Sequence, residues 1–326
     1  MKKIVILLLL TNFFAVAKEK INPLAAFAKK VATENKLDEK AISKLLTQAK
    51  KKQSIIDAMN RPAEKKKPWY EYRAIFLKEK RIKAGVEFWQ KHKKTLDAVS
   101  KETGVPSEII VAIIGVETNY GGNMGSYRVL DALFTLAFHY PKRSKFFTAE
   151  LEKFFVLTTK ENISATETLG SYAGAMGYGQ FMPSSYLMYA VDYDKDGKRD
   201  LLNNIDDAIA SVANYFKAHG WKKDQGIAYL AQTTKKFTKL AKQNLKPSKT
   251  VKQLKALGYV TKQKLSDNEV ISLTQLQQEK GMEYWFALQN FYVITRYNHS
   301  EMYAMAVFQL ANEINNLKQK LTIKSQ

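Results

Sequence analysis

The feature that most constrains this fold is an apolar run, Ile109 to Val116, that closes on a carboxylate, Glu117. Pro106-Ser107-Glu108 precedes the run and predicts a helix start, with Ser107 as the cap. An ionised carboxylate at the inner end of an apolar helix is costly to bury unless it is paired. Glu117 therefore tends to hold its proton at neutral pH, as a general acid must. The alternative interpretation is that Glu117 turns to solvent where the helix ends.

A second informative stretch runs from Gly170 to Pro183 and places four glycines within ten positions. Glycine at this density lets a backbone approach a ligand closely. Tyr, Phe and Met side chains alternate with Ser and Gln, which suits a sugar because its faces are apolar and its rim carries hydroxyls and amides. The segment therefore predicts one wall of a sugar-binding groove, and the alternative is a glycine-rich surface loop.

Most of the remaining chain has helical spacing, which predicts a mainly α fold. Breaks at Arg61-Pro62, Pro68 and Pro141 separate the predicted helical stretches, and Gly220 is the predicted C-cap of the last one. These stretches are residues 37–59, 74–100, 130–139, 144–160 and 206–218. Residues 231–280 are polar, lysine-rich and weakly periodic, with short apolar stretches at 259–260 and 270–273.

Several motifs together make the chain resemble the lytic murein transglycosylases of the B type, periplasmic enzymes that cut the glycan strands of bacterial cell wall. These motifs are Pro68 to Arg73 with Phe88-Trp89, Gly115 to Thr118, Leu130 to Leu133, the glycine-rich stretch, Val212 to Phe216 and Ile294 to His299. The resemblance implies a lysozyme-like helical core in residues 101–230 and 284–320. It also implies an N-terminal helical lobe in residues 18–100 and a small β-containing insert in residues 231–283, where the match is weakest.

The first 17 residues have the charged start, short apolar stretch and Ala15-Val16-Ala17 ending of a secretory signal, which makes Lys18 the predicted mature start. The alternative, a transmembrane anchor, needs ~20 apolar residues. The sequence contains no cysteine, so it offers neither a disulfide nor the acylated cysteine of bacterial lipoproteins. Some members of the family carry that lipid, and this sequence departs from them. We expect a soluble periplasmic protein.

The formal net charge is +21, and it becomes +19 without the two lysines of the predicted signal. Such an excess favours anionic partners. Nucleic acid is excluded, because the sequence has no recognition motif or zinc spacing and an exported protein does not meet a genome. Peptidoglycan strands with their peptide carboxylates are the expected partner, together with weak association with anionic membrane surfaces. Alternatively, the charge has no functional meaning and reflects a proteome that is rich in lysine throughout.

A metal site is predicted at residues 192–198, where carboxylates stand at alternate positions and a glycine follows. The stretch matches the first half of a calcium loop, in which oxygen ligands occupy positions 1, 3, 5 and 7. Asn203 replaces the glutamate usual at position 12, and the resemblance implies a loop of altered length that ends on an aspartate. The alternative is an acidic turn without metal. The predicted ligands of one structural calcium ion are Asp192, Asp194, Asp196, the Lys198 carbonyl and Asp206, and no organic cofactor is expected.

Glycoside cleavage normally uses two carboxylates, yet only Glu117 stands in a convincing setting. Asp131, Glu150, Glu152 and Glu161 lie on helical stretches where an exposed or capping role is expected. The four histidines are too far apart in sequence to suggest zinc. The resemblance implies that one acid suffices. Glu117 would protonate the glycosidic oxygen, the substrate N-acetyl group would stabilise the anomeric carbon, and Glu117 would then accept the proton of the sugar 6-hydroxyl.

The same resemblance implies six substrate-binding residues, each of which has the alternative role of supporting a neighbour. They are Ser171 and Gln180 near the N-acetyl group, with Gln180 also facing Glu117, then Tyr215, Tyr297 and Asn298 across the groove, and Arg143 at the lactyl or peptide carboxylate. Two other function classes stay open. One is a lysozyme-like hydrolase with water as the nucleophile, and the other is a non-catalytic scaffold that binds the wall and proteins of wall synthesis or remodelling.

Overall fold

The computed structural model describes residues 22–61, 67–242 and 244–324, so the predicted secretory signal lies outside the described residues. Within them are fourteen α-helices and seven strands, which confirms the mainly α fold. The described residues up to Thr47 form one compact unit, and those from Gln48 onward form a second. None of the described helices is both long enough and apolar enough to span a bilayer.

Helices dominate the chain order, and most strands lie between the eleventh and thirteenth helices. The helices are α1 (Pro23–Asn35), α2 (Glu39–Gln48), α3 (Gln53–Asn60), α4 (Trp69–Phe76), α5 (Glu79–Lys91), α6 (Lys93–Thr103), α7 (Ser107–Thr118), α8 (Val129–His139), α9 (Ser144–Lys160), α10 (Pro183–Tyr189), α11 (Ile205–Ala218), α12 (Val251–Ala256), α13 (Gln289–Tyr297) and α14 (Glu301–Lys324). The strands are β1 (Tyr127–Arg128), β2 (Leu169–Gly170), β3 (Ala228–Thr233), β4 (Lys249–Thr250), β5 (Tyr259–Val260), β6 (Val270–Gln277) and β7 (Met282–Ala287).

The N-terminal helices are shorter and more numerous than predicted. Residues 37–59, predicted as one helical stretch, form α2 and α3 with a break at residues 49–52. Side chains of α8 capture the backbone of this break, since Lys50 N donates to Asp131 Oδ1 at 2.8 Å and Lys52 N donates to Thr135 Oγ1 at 3.0 Å. The predicted stretch 74–100 is likewise divided among α4, α5 and α6, and α1 has no counterpart in the prediction.

Helix α7 is the core helix of the second unit. Every residue from Ile109 to Ile114 is at most 1% exposed, and α7 packs against α5, α6, α11 and α14. Burying each large aliphatic side chain contributes roughly 1.5–3 kcal/mol, so the apolar run fixes α7 in the core with Glu117 at its C-terminal end. The prediction that Ser107 caps α7 is wrong. Pro106 occupies that position, and the buried Ser107 hydroxyl donates to Leu96 O at 3.2 Å.

Three other helices follow the prediction closely. Helix α8 ends at His139 before Pro141, α9 has the predicted bounds, and α11 begins one residue earlier than expected. His219 rather than Gly220 caps α11, and Gly220 follows the cap in a left-handed conformation with φ of +85°. Glycine is favoured there because it has no Cβ to clash at positive φ.

The β region is a five-stranded antiparallel sheet with the order β4-β6-β7-β3-β5. Tyr284 and Phe286 of β7 lie on one face, in a buried cluster with Tyr259 and with residues of α12. Because side chains alternate along a strand, Trp285 lies on the other face, where its ring centroid is 6.2 Å from that of Phe308 on α14. Helix α14 therefore covers part of this second face, on which Leu230 is 49% exposed.

The short apolar stretches at residues 259–260 and 270–273 lie in strands β5 and β6, and the sheet extends past the expected insert on both sides. Strand β3 begins at Ala228, and β7 runs to Ala287. The expected return to helix at Tyr284 is therefore wrong, because Tyr284 pairs with Gln275 and Ala231 inside the sheet. The assignment of residues 18–100, 101–230, 231–283 and 284–320 to separate domains stays a prediction.

Candidate active site

Glu117 lies half-buried at the C-terminal end of α7. Its Oε1 accepts a 2.5 Å hydrogen bond from Tyr303 Oη. Tyr303 belongs to α14 and is 2% exposed. No sequence signal identifies Tyr303, because 186 positions separate it from Glu117 and its surroundings have the ordinary pattern of an apolar helix. The contact shows that two helices distant in sequence meet at this carboxylate.

Two phenols near Glu117, the buried Tyr303 and the half-buried Tyr297, are neutral groups. Burial raises the pKa of Tyr303 well above its ordinary value, and the charge of Glu117 adds to the rise. Burial also raises the pKa of Tyr297, again with Glu117 as the second cause. Because a phenol with a raised pKa keeps its proton at neutral pH, both hydroxyls remain hydrogen-bond donors.

Thr118, the residue after Glu117, joins the end of α7 to the glycine-rich stretch. Its hydroxyl lies 3.1 Å from Ile114 O and 3.0 Å from Tyr178 O, so the hydrogen is shared between a helix carbonyl and a carbonyl of that stretch. Thr118 Oγ1 also accepts from Gly121 N at 3.0 Å. Glu117 is therefore adjacent in sequence to a residue that contacts the predicted groove wall.

The chain leaves α7 through three consecutive left-handed residues, 119–121, with φ between +51° and +89°. Each non-glycine residue in this conformation costs about 1–2 kcal/mol, so surrounding contacts must fix the turn. Tyr120 supplies them: its hydroxyl donates to Arg81 O at 3.0 Å. The same hydroxyl fills the space beside two glycines, since a Cβ atom on Gly85 or Gly115 would lie 2.6 Å from it. Tyr120 therefore locks α7 against α5, close to Glu117.

Ser171 organises a tight turn in the glycine-rich stretch. Its Oγ accepts from Ala173 N at 3.3 Å and from Ala175 N at 3.1 Å, and its carbonyl accepts from Gly174 N at 2.9 Å. Since two amides occupy the hydroxyl oxygen, the hydroxyl hydrogen is directed away from the turn. Ser171 is thus a prepositioned donor, as a residue that binds an acyl oxygen must be.

Gln180 adopts a left-handed conformation, with φ of +49°. Its side-chain amide joins two backbone segments. Gln180 Nε2 donates to Gly177 O at 3.0 Å and to Met124 O at 3.1 Å. The two amide hydrogens are therefore used within the protein, and Oε1 is the atom suited to accept from a ligand. Its predicted position facing Glu117 stays a prediction.

Tyr215 and Tyr297 pack together, with ring centroids 4.8 Å apart, and both contact Phe181 of the glycine-rich stretch. Tyr297 Oη donates to Gly179 O at 2.6 Å, and Tyr215 Oη donates to Arg296 O at 2.6 Å. Burial, followed by the nearby Tyr189, raises the pKa of Tyr215 to about 12. The structure thus brings two of the predicted residues to the glycine-rich stretch as an aromatic cluster.

The last two predicted binding residues are exposed. Asn298 follows α13 directly, next to Tyr297. Arg143 ends a short 3-10 turn between α8 and α9, and its guanidinium lies 4.4 Å from the ring centroid of Phe146 and 5.0 Å from that of Phe147. Their contacts with a substrate stay predictions.

The other acidic residues considered as partners for Glu117 are engaged elsewhere. Asp131, Glu150 and Glu152 are 3%, 5% and 9% exposed, so the expectation of exposure is wrong for them. Glu150 has the capping role, since it accepts from Ser184 N at 3.0 Å in the first turn of α10. Arg128 pairs with Asp131, and Arg199 pairs with Glu161. These pairs explain why the carboxylates of Asp131 and Glu161 are found away from solvent without any catalytic role.

The aspartates of residues 192–198 come together in the described structure. Asp192, Asp194 and Asp196 offer carboxylate oxygens within 4.8 Å of one another. The amides of residues 196 and 197 donate to Asp192 at 3.2 and 3.0 Å and so fold the loop around these oxygens. Three hard oxygen donors in one loop fit calcium. Asp206 is not part of this group, since its Oδ1 accepts from Thr95 Oγ1 at 2.6 Å.

Asp207, which the sequence analysis did not identify, anchors the same loop. It is fully buried and accepts from Tyr193 N at 2.7 Å and from Asp200 N at 2.8 Å. Burial raises its pKa above the ordinary value, although the two amides lower it. Leu201 O accepts from Tyr178 N at 3.1 Å, so the end of residues 192–201, which we call the aspartate loop, contacts the glycine-rich stretch.

Comparison with known proteins relates these features to one family. The family model described as Transglycosylase SLT domain matches residues 20–312. Membrane-bound lytic murein transglycosylase B of Escherichia coli (strain K12) is 42% identical over 303 residues, which cover 90% of this chain and 83% of that protein.

Solved structures show the same fold. Soluble lytic transglycosylase SltB1 from Pseudomonas aeruginosa is 45% identical and superposes with a TM-score of 0.85, over 91% of this chain and 99% of that chain. The Escherichia coli lytic transglycosylase Slt35, solved in complex with calcium, is 42% identical with a TM-score of 0.84, over 91% of this chain and 94% of that chain. These similarities confirm the lysozyme-like helical core.

Proposed function

The chain belongs to the transglycosylase SLT domain family and is a lytic murein transglycosylase of the type found in Escherichia coli and Pseudomonas aeruginosa, and from this premise we propose the bond that it breaks and the residue responsible. The bond is the β-1,4 linkage between N-acetylmuramic acid and N-acetylglucosamine, and the product carries a 1,6-anhydromuramyl end. One observation carries the proposal: Glu117 is half-buried at the end of the core helix, with Oε1 held by Tyr303.

The first step is proton transfer from Glu117 to the glycosidic oxygen. As the C1–O bond breaks, the leaving N-acetylglucosamine keeps that proton as its 4-hydroxyl, and Glu117 becomes a carboxylate. The N-acetyl oxygen of the muramic acid attacks C1 and gives a cyclic oxazolinium ion. Tyr303 donates to Oε1 and so holds the carboxyl group in place for this transfer.

The second step regenerates the acid. The 6-hydroxyl of the muramic acid attacks C1, the bond from C1 to the N-acetyl oxygen breaks, and Glu117 accepts the hydroxyl proton. The product is a 1,6-anhydro ring, and no water is consumed. A positioned acid and base contributes on the order of 10²–10⁴ in rate, and here one residue serves in both capacities.

The surrounding residues bind and orient the sugar. Ser171 donates its free hydroxyl hydrogen to the N-acetyl oxygen, and Gln180 accepts from a sugar hydroxyl or amide through Oε1. Tyr215 and Tyr297 line the groove across from these residues, and the hydrogen bonds of their hydroxyls to backbone carbonyls fix their rings. Asn298 and Arg143 complete the set, with Arg143 at a substrate carboxylate.

Asp192, Asp194 and Asp196 would hold a calcium ion, together with the Lys198 carbonyl. The ion would neutralise three neighbouring carboxylates and so fix the loop that contacts Tyr178. We place the reaction in the periplasm, where a protein with the signal predicted in residues 1–17 would meet peptidoglycan.

Mass spectrometry of muropeptides released from purified peptidoglycan tests the reaction. The wild-type protein should release products with 1,6-anhydro ends, and Glu117→Gln should release at least 10²-fold less because glutamine cannot donate the proton. Glu108→Gln is the matched control, because Glu108 lies at the other end of α7 and should keep normal release.

Two outcomes would contradict the proposal. Products with a free reducing end in place of the 1,6-anhydro ring would indicate a lysozyme-like hydrolase. Release that is unchanged in Glu117→Gln would exclude Glu117 as the acid, and no release by any variant, with retained binding to peptidoglycan, would favour a scaffold.

A further inference from the structure

The sheet region of the second unit is strongly basic. Residues 228–288 contain eleven lysines, no arginine and four acidic residues, which gives a net charge of +7 in 61 residues. Residues 67–227 contain 22 basic and 19 acidic residues, which gives +3 in 161 residues. A uniformly lysine-rich composition would give the longer stretch the larger excess. The sheet region is therefore more basic than the residues between 67 and 227, and its charge equals that of residues 18–66, which contain 13 basic and 6 acidic residues.

Eight of these lysines lie in two segments, 234–242 and 251–266, that contain no acidic residue and that we call the lysine layer. Its α12 and Tyr259 pack on the sheet face that carries Tyr284 and Phe286. The opposite face carries Trp285 against α14, and the lysine layer extends to the start of α14, where Lys242 meets Glu301. All eight side chains are exposed: Lys235, Lys236, Lys239, Lys242, Lys252, Lys255, Lys262 and Lys264.

Few acidic groups compensate this charge. Lys255 pairs with Asp267 at 2.7 Å, and Lys242 pairs with Glu301 at 2.7 Å. For the other six lysines, the described part of the chain supplies no ion pair. Uncompensated like charges on one face repel one another, and binding to an anionic surface relieves that repulsion.

An aromatic side chain accompanies the lysines. Phe237 lies between Lys236 and Lys239, and it is 38% exposed although its ring packs 5.7 Å from that of Tyr259. A partly exposed ring flanked by lysines suits a bilayer, because the ring can enter the boundary between headgroups and acyl chains while the ammonium groups remain among the phosphates. A hydrated polyanion such as the wall peptides offers carboxylates but no apolar medium for the ring.

All eight basic residues of the lysine layer are lysines, which suits a surface whose negative charge is spread out. Lysine is a flexible point charge that responds to the summed potential of a membrane, whereas arginine forms paired hydrogen bonds with single carboxylates or phosphates. We propose that the lysine layer docks this protein on a bilayer rich in anionic phospholipid. The proposal concerns a different surface from the candidate active site and does not depend on the cleavage reaction.

Sedimentation with vesicles tests the docking. The full-length protein should bind vesicles of phosphatidylcholine and phosphatidylglycerol, should bind pure phosphatidylcholine vesicles far more weakly, and should be released by added salt. Removing five charges with Lys235→Gln, Lys236→Gln, Lys239→Gln, Lys262→Gln and Lys264→Gln should weaken binding by at least about 100-fold, since each lysine at an anionic surface contributes about fivefold. Phe237→Ala should weaken binding further without changing its salt dependence.

A matched variant distinguishes a defined surface from net charge. It replaces five exposed lysines of the α4–α6 region that have no acidic partner among the described ion pairs, by Lys78→Gln, Lys80→Gln, Lys91→Gln, Lys94→Gln and Lys101→Gln. This variant has the same net charge and should bind within about threefold of wild type. Equal weakening by both sets would overturn the proposal, as would wild-type binding to purified wall but not to vesicles. Equal thermal unfolding of the two variants would exclude misfolding as the cause.

Discussion

Glu117 and Tyr303 have opposite requirements in the proposed reaction. The carboxyl group must release a proton and accept one, whereas the phenol must keep its own. Burial raises the pKa of Tyr303, so at neutral pH only Glu117 of the pair changes protonation in the cycle. The hydrogen bond to Oε1 also restricts rotation of the carboxyl group, which keeps Oε2 in one direction. Tyr303 is thus a positioning residue for the acid.

We expect Tyr303→Phe to lower kcat by about 10- to 100-fold, because a hydrogen bond to an ionised group contributes roughly 1.5–3 kcal/mol. KM should change by less than about threefold, since Tyr303 is buried behind Glu117 and the phenyl ring preserves the packing. Initial rates of soluble muropeptide formation at several peptidoglycan concentrations measure both constants.

The control for this variant is Tyr140→Phe. Tyr140 is also buried, and its hydroxyl bonds to Asn60 Oδ1 at 3.3 Å, so its loss tests the general cost of removing a buried phenol hydroxyl. Tyr140→Phe should lower the melting temperature by a similar amount and leave kcat unchanged. A fall of kcat in both variants, in proportion to their stability, would show that Tyr303 has only a structural role.

At the scale of elements, three segments meet through backbone hydrogen bonds of one residue. Tyr178 O accepts from Thr118 at the end of α7, and Tyr178 N donates to Leu201 O at the end of the aspartate loop. The neighbouring Gly177 leaves no room for a side chain, because a Cβ atom there would lie 2.2 Å from Leu201 O. Order in the aspartate loop is therefore transmitted to the glycine-rich stretch by direct contact.

We expect calcium to raise the melting temperature of the protein and a chelator to reverse the rise. An ion that binds only the folded state, at about 100 times its Kd, stabilises by about 2.7 kcal/mol. Asp194→Asn should abolish the rise, because it removes one of the three carboxylates that lie within 4.8 Å of one another. Differential scanning calorimetry with and without calcium measures the effect.

Asp206→Asn decides whether the predicted last ligand belongs to the site. If Asp206 binds the ion, this variant should lose most of the calcium-dependent rise, whereas Thr95→Val should keep it and lose only the 2.6 Å hydrogen bond. A full rise in Asp206→Asn would remove Asp206 from the ligand set. The absence of any rise in the wild-type protein would contradict the calcium assignment as a whole.

Local patterns predict elements whose boundaries are set locally. Pro141 and the amphipathic spacing of residues 144–160 give α9 its bounds, and the run before Glu117 gives α7 its end. The break between α2 and α3 depends instead on Asp131 and Thr135 of α8, more than 80 positions away. Strand β7 depends on its pairing with β6, and Tyr303 reaches Glu117 only through the packing of α14 on α7. Contacts between distant segments are not readable from spacing.

At the scale of the whole molecule, the chain has no disulfide to limit its unfolded state, so its stability depends on noncovalent packing. Tyrosine hydroxyls form an unusual part of that packing. Burial raises the pKa of Tyr120, Tyr186, Tyr215, Tyr297 and Tyr303. Each of these phenols is therefore harder to ionise in the folded protein than in the unfolded chain, which couples stability to alkaline pH.

The direction of this coupling follows from the two pKa values. Below the ordinary phenol pKa of 10.0, both states are protonated and the full stability is present. Above it the unfolded chain loses protons first, so stability falls as pH rises from 10.0 through the folded pKa, which is about 12 for Tyr215. Each such group lowers the free energy of unfolding by up to about 1.4 kcal/mol per pH unit in this window.

We therefore expect the free energy of unfolding, measured by urea titration, to fall steeply above pH 10, with the part of the tyrosinate absorbance that belongs to these five phenols appearing only as the protein unfolds. Tyr215→Phe should lower stability at neutral pH by about 1 kcal/mol, because the hydrogen bond to Arg296 O is lost. Above pH 10 the same variant should lose stability more slowly than wild type, since one buried phenol no longer titrates. The slope of the free energy of unfolding against pH should differ by the amount that corresponds to about one proton. The lysines titrate in the same range, but they are present in both proteins, so the difference in slope isolates the phenol. Tyrosinate absorbance that reaches the value for all 17 tyrosines while the protein stays folded would contradict this account, because it would mean that these five hydroxyls ionise without loss of the core.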